Sequence, residues 1–159
     1  MKNFGVILVV AALALGCKSE SGSNVSTNDI SRLIRDLQKG DENTRAEAAD
    51  ALGDLGADGK PALPALLSAL GDEGERVRQN VLRAIIAIGP DETAIQPLTN
   101  SLKDSDNEVR ALSANALGQL GPSARKSIPA LREALHDRDE DVRKEAADAL
   151  KAISGPEKR

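Results

Sequence analysis

Residues 72–89, DEGERVRQNVLRAIIAIG, return twice in altered form later in the chain. The two later copies are residues 104–121, DSDNEVRALSANALGQLG, and residues 137–154, DRDEDVRKEAADALKAIS. An earlier and less regular copy precedes them, and an arginine falls in register in all four: Arg45, Arg78, Arg110 and Arg143. A spacing of 33, 32 and 33 residues predicts a repeat protein, whose units bury their apolar surfaces against one another.

Each copy carries apolar residues at the spacing of one face of an α-helix. In residues 72–89 these are Val77, Val81, Ile85 and Ile88. A second apolar segment precedes each copy, and a leucine recurs in it: Leu37, Leu70, Leu102 and Leu135. The sequence therefore predicts an all-α fold, an α-solenoid of about four helix pairs, or eight helices, over residues 29–154.

The units resemble HEAT repeats, specifically the short HEAT-like variety also found in phycocyanobilin lyases. The three quoted stretches carry the resemblance, which covers residues 29–154. It implies a ladder of hydrogen bonds between repeats, built from an aspartate and an arginine six positions apart: Asp72 and Arg78, Asp104 and Arg110, Asp137 and Arg143. A half-buried guanidinium is well matched by a carboxylate. The first unit has Lys39 in place of this aspartate and Thr44 in place of valine. We therefore expect weaker ladder hydrogen bonds and weaker packing in that unit.

The resemblance also implies that the second helix of each unit lines the concave side of the solenoid. Side chains predicted on that surface vary between units while the core positions repeat. We take six of them as candidate partner-binding residues: Arg35, Ser68, Thr99, Asn100, Arg132 and Glu133. Leu82, Ile86 and Leu112 form a second candidate surface, unless they pack between repeats.

The N-terminal residues predict export. Lys2 precedes twelve apolar or small residues, 4–15, which are too few to span a bilayer as a helix. Residues 1–16 then resemble a bacterial lipoprotein signal peptide, which implies that Cys17, the only cysteine, carries acyl chains such as palmitate. A plain secretory signal with an unmodified cysteine is the alternative. Residues 17–28 are predicted to be the lipidated cysteine and a flexible tether, and residues 155–159 a C-terminal tail.

The sequence offers little for catalysis or metal binding. His136 is the only histidine, which excludes a Ser-His-Asp triad or a pair of histidine ligands within one chain. Residues 137–141, DRDED, have the spacing that opens a calcium loop, but Val142 stands where that loop requires glycine. A net charge of −4, and the lack of any aromatic residue beyond Phe4, argue against nucleic-acid binding. We predict no catalytic, cofactor-binding or metal-binding residue.

These observations lead to the expectation of a membrane-anchored lipoprotein of the cell envelope. Its solenoid would be a non-catalytic scaffold for a protein partner, without a cofactor. If the cell has two membranes, Lys18 after the cysteine favours the periplasmic face of the outer membrane, by analogy with lipoproteins. Two alternatives stay open: a subunit of a bilin-lyase-like enzyme, which the repeat resemblance alone suggests, and a structural envelope protein that self-associates through the open ends of its solenoid.

Overall fold

The computed structural model describes residues 27–155, which form eight α-helices joined by short loops and three 3₁₀ segments, with no strand in that range. The helices are α1 (Thr27–Lys39), α2 (Glu42–Asp54), α3 (Leu63–Ala69), α4 (Glu75–Ile88), α5 (Ile95–Ser101), α6 (Asn107–Gln119), α7 (Ile128–Ala134) and α8 (Glu140–Ser154). The predicted eight-helix all-α solenoid is confirmed. Helix α1 begins two residues before the predicted repeat domain.

The predicted signal peptide and Cys17 lie outside the described residues. None of the helices in residues 27–155 combines the length and the apolar character that crossing a bilayer requires.

The even-numbered helices form one row of the solenoid, called here the first row, and the odd-numbered helices form the second row. Aspartates start three helices of the first row, because their carboxylates accept backbone N–H groups of the first turn: Asp41, Asp106 and Asp139. After α4, Gly89 adopts a φ of 88°, a conformation that other residues rarely adopt, and the helix ends there.

The core lies between the two rows and consists of leucine, isoleucine, valine and alanine. Leu52, Ile85 and Leu117 occupy equivalent positions in successive units and have no exposed surface. The second row contributes Leu66, Leu98 and Leu131, which are equally buried. Each such side chain stabilises the fold by about 1.5–3 kcal/mol when it leaves water, so the core needs no aromatic residue.

Small residues set the distance between neighbouring helices of the first row. A Cβ atom placed on Gly53 of α2 would lie 2.9 Å from the Cα of Ala84 in α4, and one on Gly118 of α6 would lie 3.1 Å from the Cα of Ala149 in α8. In α4 the equivalent position is Ile86, and α4 packs less extensively on α6. The junction between α4 and α6 is therefore wider than its two neighbours.

The three apolar residues singled out from the sequence lie at or near this wide junction. Leu82 is fully buried, while Ile86 and Leu112 are half-buried and pack against the core. Packing between repeats thus accounts for Leu82, and Ile86 and Leu112 keep part of their surface in contact with solvent.

The two rows differ in how closely their helices approach. Successive helices of the first row pack extensively on one another, whereas in the second row α3 and α5, and α5 and α7, make few or no contacts. The 3₁₀ segments Gly56–Ala62 and Gly121–Ser127 contact the flanking second-row helices on both sides and hold them apart. In a curved stack the more closely spaced row lies inside. The expectation that the second helices line the concave side was therefore wrong, and the first row forms the inner face.

Candidate functional site

Three arginines of the first row each hold an aspartate of the following unit through two hydrogen bonds. Arg45 donates from Nε and Nη2 to Asp72 at 2.7 and 2.8 Å. Arg78 binds Asp104 at 2.9 Å through both atoms, and Arg110 binds Asp137 at 2.8 Å through both. We call each such arginine–aspartate pair a rung of the ladder. In each rung the arginine side chain is 6–15% exposed and the aspartate side chain is 12–14% exposed.

The same arginines also bind the loop that precedes their own helix. Nη1 of Arg78 donates to the carbonyl oxygens of Asp72 and Glu73, at 2.9 and 3.2 Å. Each aspartate in turn accepts a backbone N–H two residues further on, as Asp72 does from Gly74 at 2.8 Å. One arginine therefore links its own loop to the loop of the next unit, and the loops are ordered as a continuous series.

Lys39 replaces the expected aspartate in the first unit, but this replacement does not disrupt the pair that Arg45 forms with Asp72. Arg45 holds Asp72 as closely as its counterparts hold theirs, and it also donates to the carbonyl of Gly40 at 3.1 Å. The reason is that the carboxylate of each rung comes from the following unit, so Lys39 is not part of the Arg45 rung. Arg45 is thus a ladder residue that the six-residue spacing alone did not identify.

The pairs change the acidity of the ladder carboxylates. Burial acts to raise the pKa of Asp72 and of Asp104, but hydrogen bonds from the arginine and from the loop N–H outweigh it, and both pKa values lie below the usual range. For Asp137 the hydrogen bond from Arg110 is the largest influence, and its pKa is lowered too. The ladder therefore favours the ionised form of all three aspartates.

The six candidate partner-binding residues lie on the second row, away from the inner face. Arg35, Ser68, Asn100, Arg132 and Glu133 are exposed. Thr99 is half-buried, and its hydroxyl lies 2.7 Å from that of Ser127 in the next unit. Asn100 accepts from Gln96 at 3.0 Å, and Glu133 lies 3.9 Å from Lys103. These residues do not converge on one cavity, and their role in binding stays a prediction.

The inner face carries polar side chains that bridge neighbouring helices. Asn80 of α4 donates to the carbonyl of Ala46 in α2 at 3.0 Å, and Asn115 of α6 donates to Glu145 of α8 at 2.9 Å. Between them, across the wide junction, Arg83 donates to Glu108. These bridges hold a pattern of charged and amide groups in fixed positions.

The centre of the inner face combines charge with apolar surface. Leu112 follows Glu108 by one turn of α6, and Ile86 follows Arg83 by about one turn of α4, so each pair shares a helix face. Arg83 and Glu108 are about half exposed, with side-chain values of 47% and 45%. We call these four residues the central cluster; the sequence pointed to its two apolar members only.

The remaining polar candidates have no partners that suggest chemistry. His136 is exposed in the loop between α7 and α8. Asp137 belongs to the ladder and Asp139 caps α8, so both are engaged in the fold. Within residues 27–155 no group of histidine, cysteine, aspartate and glutamate side chains is arranged to hold a metal ion.

Comparison with known proteins identifies the repeats. A model described as HEAT repeats matches residues 30–118 and 95–159. The phycocyanobilin lyase subunit alpha of Picosynechococcus sp. (strain ATCC 27264 / PCC 7002 / PR-6) is 36% identical over 105 residues, which are 62% of this chain and 38% of that relative. The chain thus matches about two fifths of the length of this curated protein.

Solved structures show the same solenoid. An engineered protein has a TM-score of 0.67 at 26% identity, over 80% of this chain and 63% of its own. The complex of CpcE and CpcF of phycocyanin lyase from Nostoc sp. PCC7120 gives 0.62 at 24% identity, over 81% and 80%. A designed armadillo repeat protein in complex with the peptide (KR)4 gives 0.68 at 23% identity, over 79% and 64%. The last two of these structures are complexes, one of two protein chains and one of a solenoid with a peptide.

One expectation from the sequence is contradicted by these similarities. The chain was expected not to be an enzyme, because it offers no nucleophile, base or aromatic pocket, and a subunit of a bilin-lyase-like enzyme was the alternative. The curated relative is a subunit of a lyase, and one structural neighbour is a lyase complex. The absence of familiar catalytic residues from one chain was the wrong criterion, since a subunit contributes to an enzyme through binding as well as through chemistry.

Removing one partner of a ladder rung should destabilise the solenoid. In Arg78→Gln the Asp104 carboxylate, 14% exposed, loses two charged hydrogen bonds, and we expect the free energy of unfolding to fall by about 2–3 kcal/mol. Urea denaturation followed by circular dichroism measures it. The matched control is Lys151→Gln, which removes an exposed ion pair with Asp148 and should leave the midpoint unchanged. Equal effects of the two substitutions would contradict a structural role for the rung.

The ladder should also make stability depend on pH in the acid range. The pKa of Asp104 is lowered in the folded state, so the unfolded chain takes up its proton first as the pH falls. The contribution of the pair is complete above the unfolded value of about 3.9 and is lost as the pH falls through the folded pKa. Urea denaturation across this window should show a smaller loss of stability for Asp104→Asn than for the wild type. Asp58→Asn, which changes an exposed aspartate outside the ladder, should retain the wild-type dependence.

Proposed function

This chain belongs to the HEAT-repeat family, and we propose that it works as one subunit of an enzyme of the bilin-lyase class. The observation that carries the proposal is the 36% identity over 105 residues with the phycocyanobilin lyase subunit alpha. A shared fold alone would not support an activity, because unrelated functions use the same solenoid. A bilin-binding subunit also requires a surface that suits its substrate.

The central cluster and its surroundings match the chemistry of a bilin. A bilin is an open-chain tetrapyrrole with a conjugated apolar body and two propionate groups. Ile86 and Leu112 offer partly exposed apolar surface, and Arg76 and Arg83 lie two turns apart on α4, both exposed. The body of the bilin would lie on the apolar pair, and the propionates would accept from the two arginines.

Binding would not require the core to rearrange. Arg83 donates to Asn80 and Glu108, and Arg76 donates to Asn43 at 3.3 Å, all at the surface. Exposed ion pairs are worth about 0–1 kcal/mol, so a propionate can replace Glu108 at small cost. The role of this chain would be to hold and orient the bilin, with reacting groups supplied by a second subunit or by the acceptor protein.

Binding of phycocyanobilin to the full-length protein in detergent tests this role. Titration should change the visible absorption of the bilin, and Arg76→Gln/Arg83→Gln should weaken binding by at least about tenfold, because two charged hydrogen bonds are lost. Arg132→Gln, an exposed arginine of the second row, is the matched control and should bind as the wild type does. A wild-type protein that leaves the bilin spectrum unchanged, or a double variant that binds equally well, would refute the proposal.

We also propose that the subunit is exported and held at the membrane by acyl chains on Cys17. The support comes from the sequence: a short apolar run after a basic start, followed by the only cysteine and a polar segment. Two or three acyl chains hold a protein stably at a membrane surface. Tethering would also raise the local concentration of the solenoid for a partner in the same envelope.

A substitution at Cys17 separates this proposal from plain secretion. The wild type should sediment with membranes and incorporate labelled palmitate, whereas Cys17→Ser should do neither. Intact mass spectrometry gives the second readout, since acylation adds the mass of the lipid. An identical membrane association for both proteins, with no lipid on the wild type, would contradict the anchor.

A further inference from the structure

A cavity of about 400 Å³ lies between the start of α5 and the 3₁₀ segment Gly121–Ser127. Its lining is mostly polar, and it includes one carboxylate and one ammonium group, those of Glu92 and Lys126. The volume is in the range of sites for small ligands, about 300–1,000 Å³. The cavity belongs to the second row, whereas the central cluster lies on the first, so the two surfaces are separate.

The cavity contains a hydroxyl group that the preceding unit lacks. The hydroxyl oxygen of Thr99, which lines the cavity, lies 2.7 Å from that of Ser127, a fully buried residue. The preceding unit has Leu67 and Ala94 at the corresponding positions. Because Thr99 donates its proton to the carbonyl of Ile95 at 2.6 Å, Ser127 is the donor within the pair. The Thr99 oxygen is therefore an acceptor with a lone pair left for a ligand.

The two charged groups that line the cavity do not pair with each other. Glu92 accepts from the hydroxyl of Ser123 at 3.1 Å, which holds its carboxylate in place and leaves the other oxygen free. Lys126 has no hydrogen bond or ion pair among the residues that the structure describes. Gln96 donates one amide N–H within its own helix at 3.0 Å and keeps a second. The cavity thus offers a carboxylate and a hydroxyl oxygen as acceptors, and an ammonium and an amide group as donors.

We propose that this cavity binds a small zwitterion, a free α-amino acid with a short apolar side chain. The ammonium group of the ligand would donate to Glu92 and Thr99, and its carboxylate would accept from Lys126 and Gln96. Its side chain would lie against the half-buried Ile95. This inference goes beyond the proposed function and holds whether or not the chain binds a bilin.

The pair of opposite charges selects a zwitterion over a simple anion or cation. A ligand with one charge would be attracted to one of the two groups, Glu92 or Lys126, and repelled by the other. A ligand with both charges can satisfy the two groups at once, and opposite charges placed in this way also fix its orientation.

Titration of the full-length protein in detergent with L-valine tests the site. In methyl NMR spectra of protein labelled at isoleucine, the signal of Ile95 should shift and saturate with a Kd on the order of 0.1–1 mM, because so small a ligand makes few contacts. Isovalerate lacks the ammonium group and isobutylamine lacks the carboxylate, so each should bind at least about tenfold more weakly. No shift with L-valine, or equal binding of either analogue, would overturn the proposal.

Charge variants locate the binding. Glu92→Gln and Lys126→Gln should each weaken L-valine binding at least about tenfold, because one charged hydrogen bond is lost. Arg125→Gln is the matched control, since Arg125 is the exposed neighbour of Lys126 and does not line the cavity, and it should bind as the wild type does. Binding that survives both variants, or that Arg125→Gln weakens equally, would contradict the site.

A third variant replaces the hydroxyl pair with the residues of the preceding unit. Thr99→Leu/Ser127→Ala should fold like the wild type, as circular dichroism would verify, and should lose L-valine binding because leucine fills the cavity and removes an acceptor. Unchanged binding in this folded variant would overturn the proposal. Phosphoethanolamine, the head group of a zwitterionic lipid, is the competing probe. Tighter binding of phosphoethanolamine than of L-valine would make a lipid the ligand and would also overturn it.

Discussion

The bidentate pair between an arginine of one unit and an aspartate of the next is the interaction on which the order of this solenoid depends. Burial of leucine and alanine brings helices together, but apolar contacts have little direction and tolerate sliding. A planar guanidinium that binds a carboxylate through two atoms, and its own loop through a third, fixes the register of adjacent units. Because the carboxylate belongs to the following unit, each pair joins two successive units.

The spacing of the helices within the first row depends on residues of very different size at one position. Gly53 and Gly118 let two helix pairs of the first row approach closely, and Ile86 keeps the middle pair apart. Meanwhile 3₁₀ segments separate the helices of the second row. The first row therefore faces inward, and its widest junction is where charged and apolar side chains lie together. In the proposed function, ligand binding therefore falls to Arg83 and its neighbours rather than to the second-row residues.

The similarity to a lyase subunit changes how the lack of familiar catalytic residues is interpreted. A single chain with one histidine and no aromatic residue beyond Phe4 is poorly equipped to carry a reaction by itself. An enzyme made of several chains can divide its tasks, and a rigid inner face suits substrate binding and orientation, which contribute to catalysis through proximity. In the proposed role, this chain contributes a binding surface, and the reacting groups belong to other chains.

The sequence by itself determined the repeat length, the eight helices, the core positions and the residue types of the ladder, because these follow from periodicities along the chain. It also provided the only information on residues 1–26. The tertiary structure decided which aspartate each arginine binds and which row of helices faces inward. These features depend on contacts between units and on the distances between helix axes, which arise from the sizes of side chains on different helices and have no periodic signal in one sequence. Ile86 illustrates the difference: its apolar character is visible in the sequence, but its effect on helix spacing appears only where α4 meets α6.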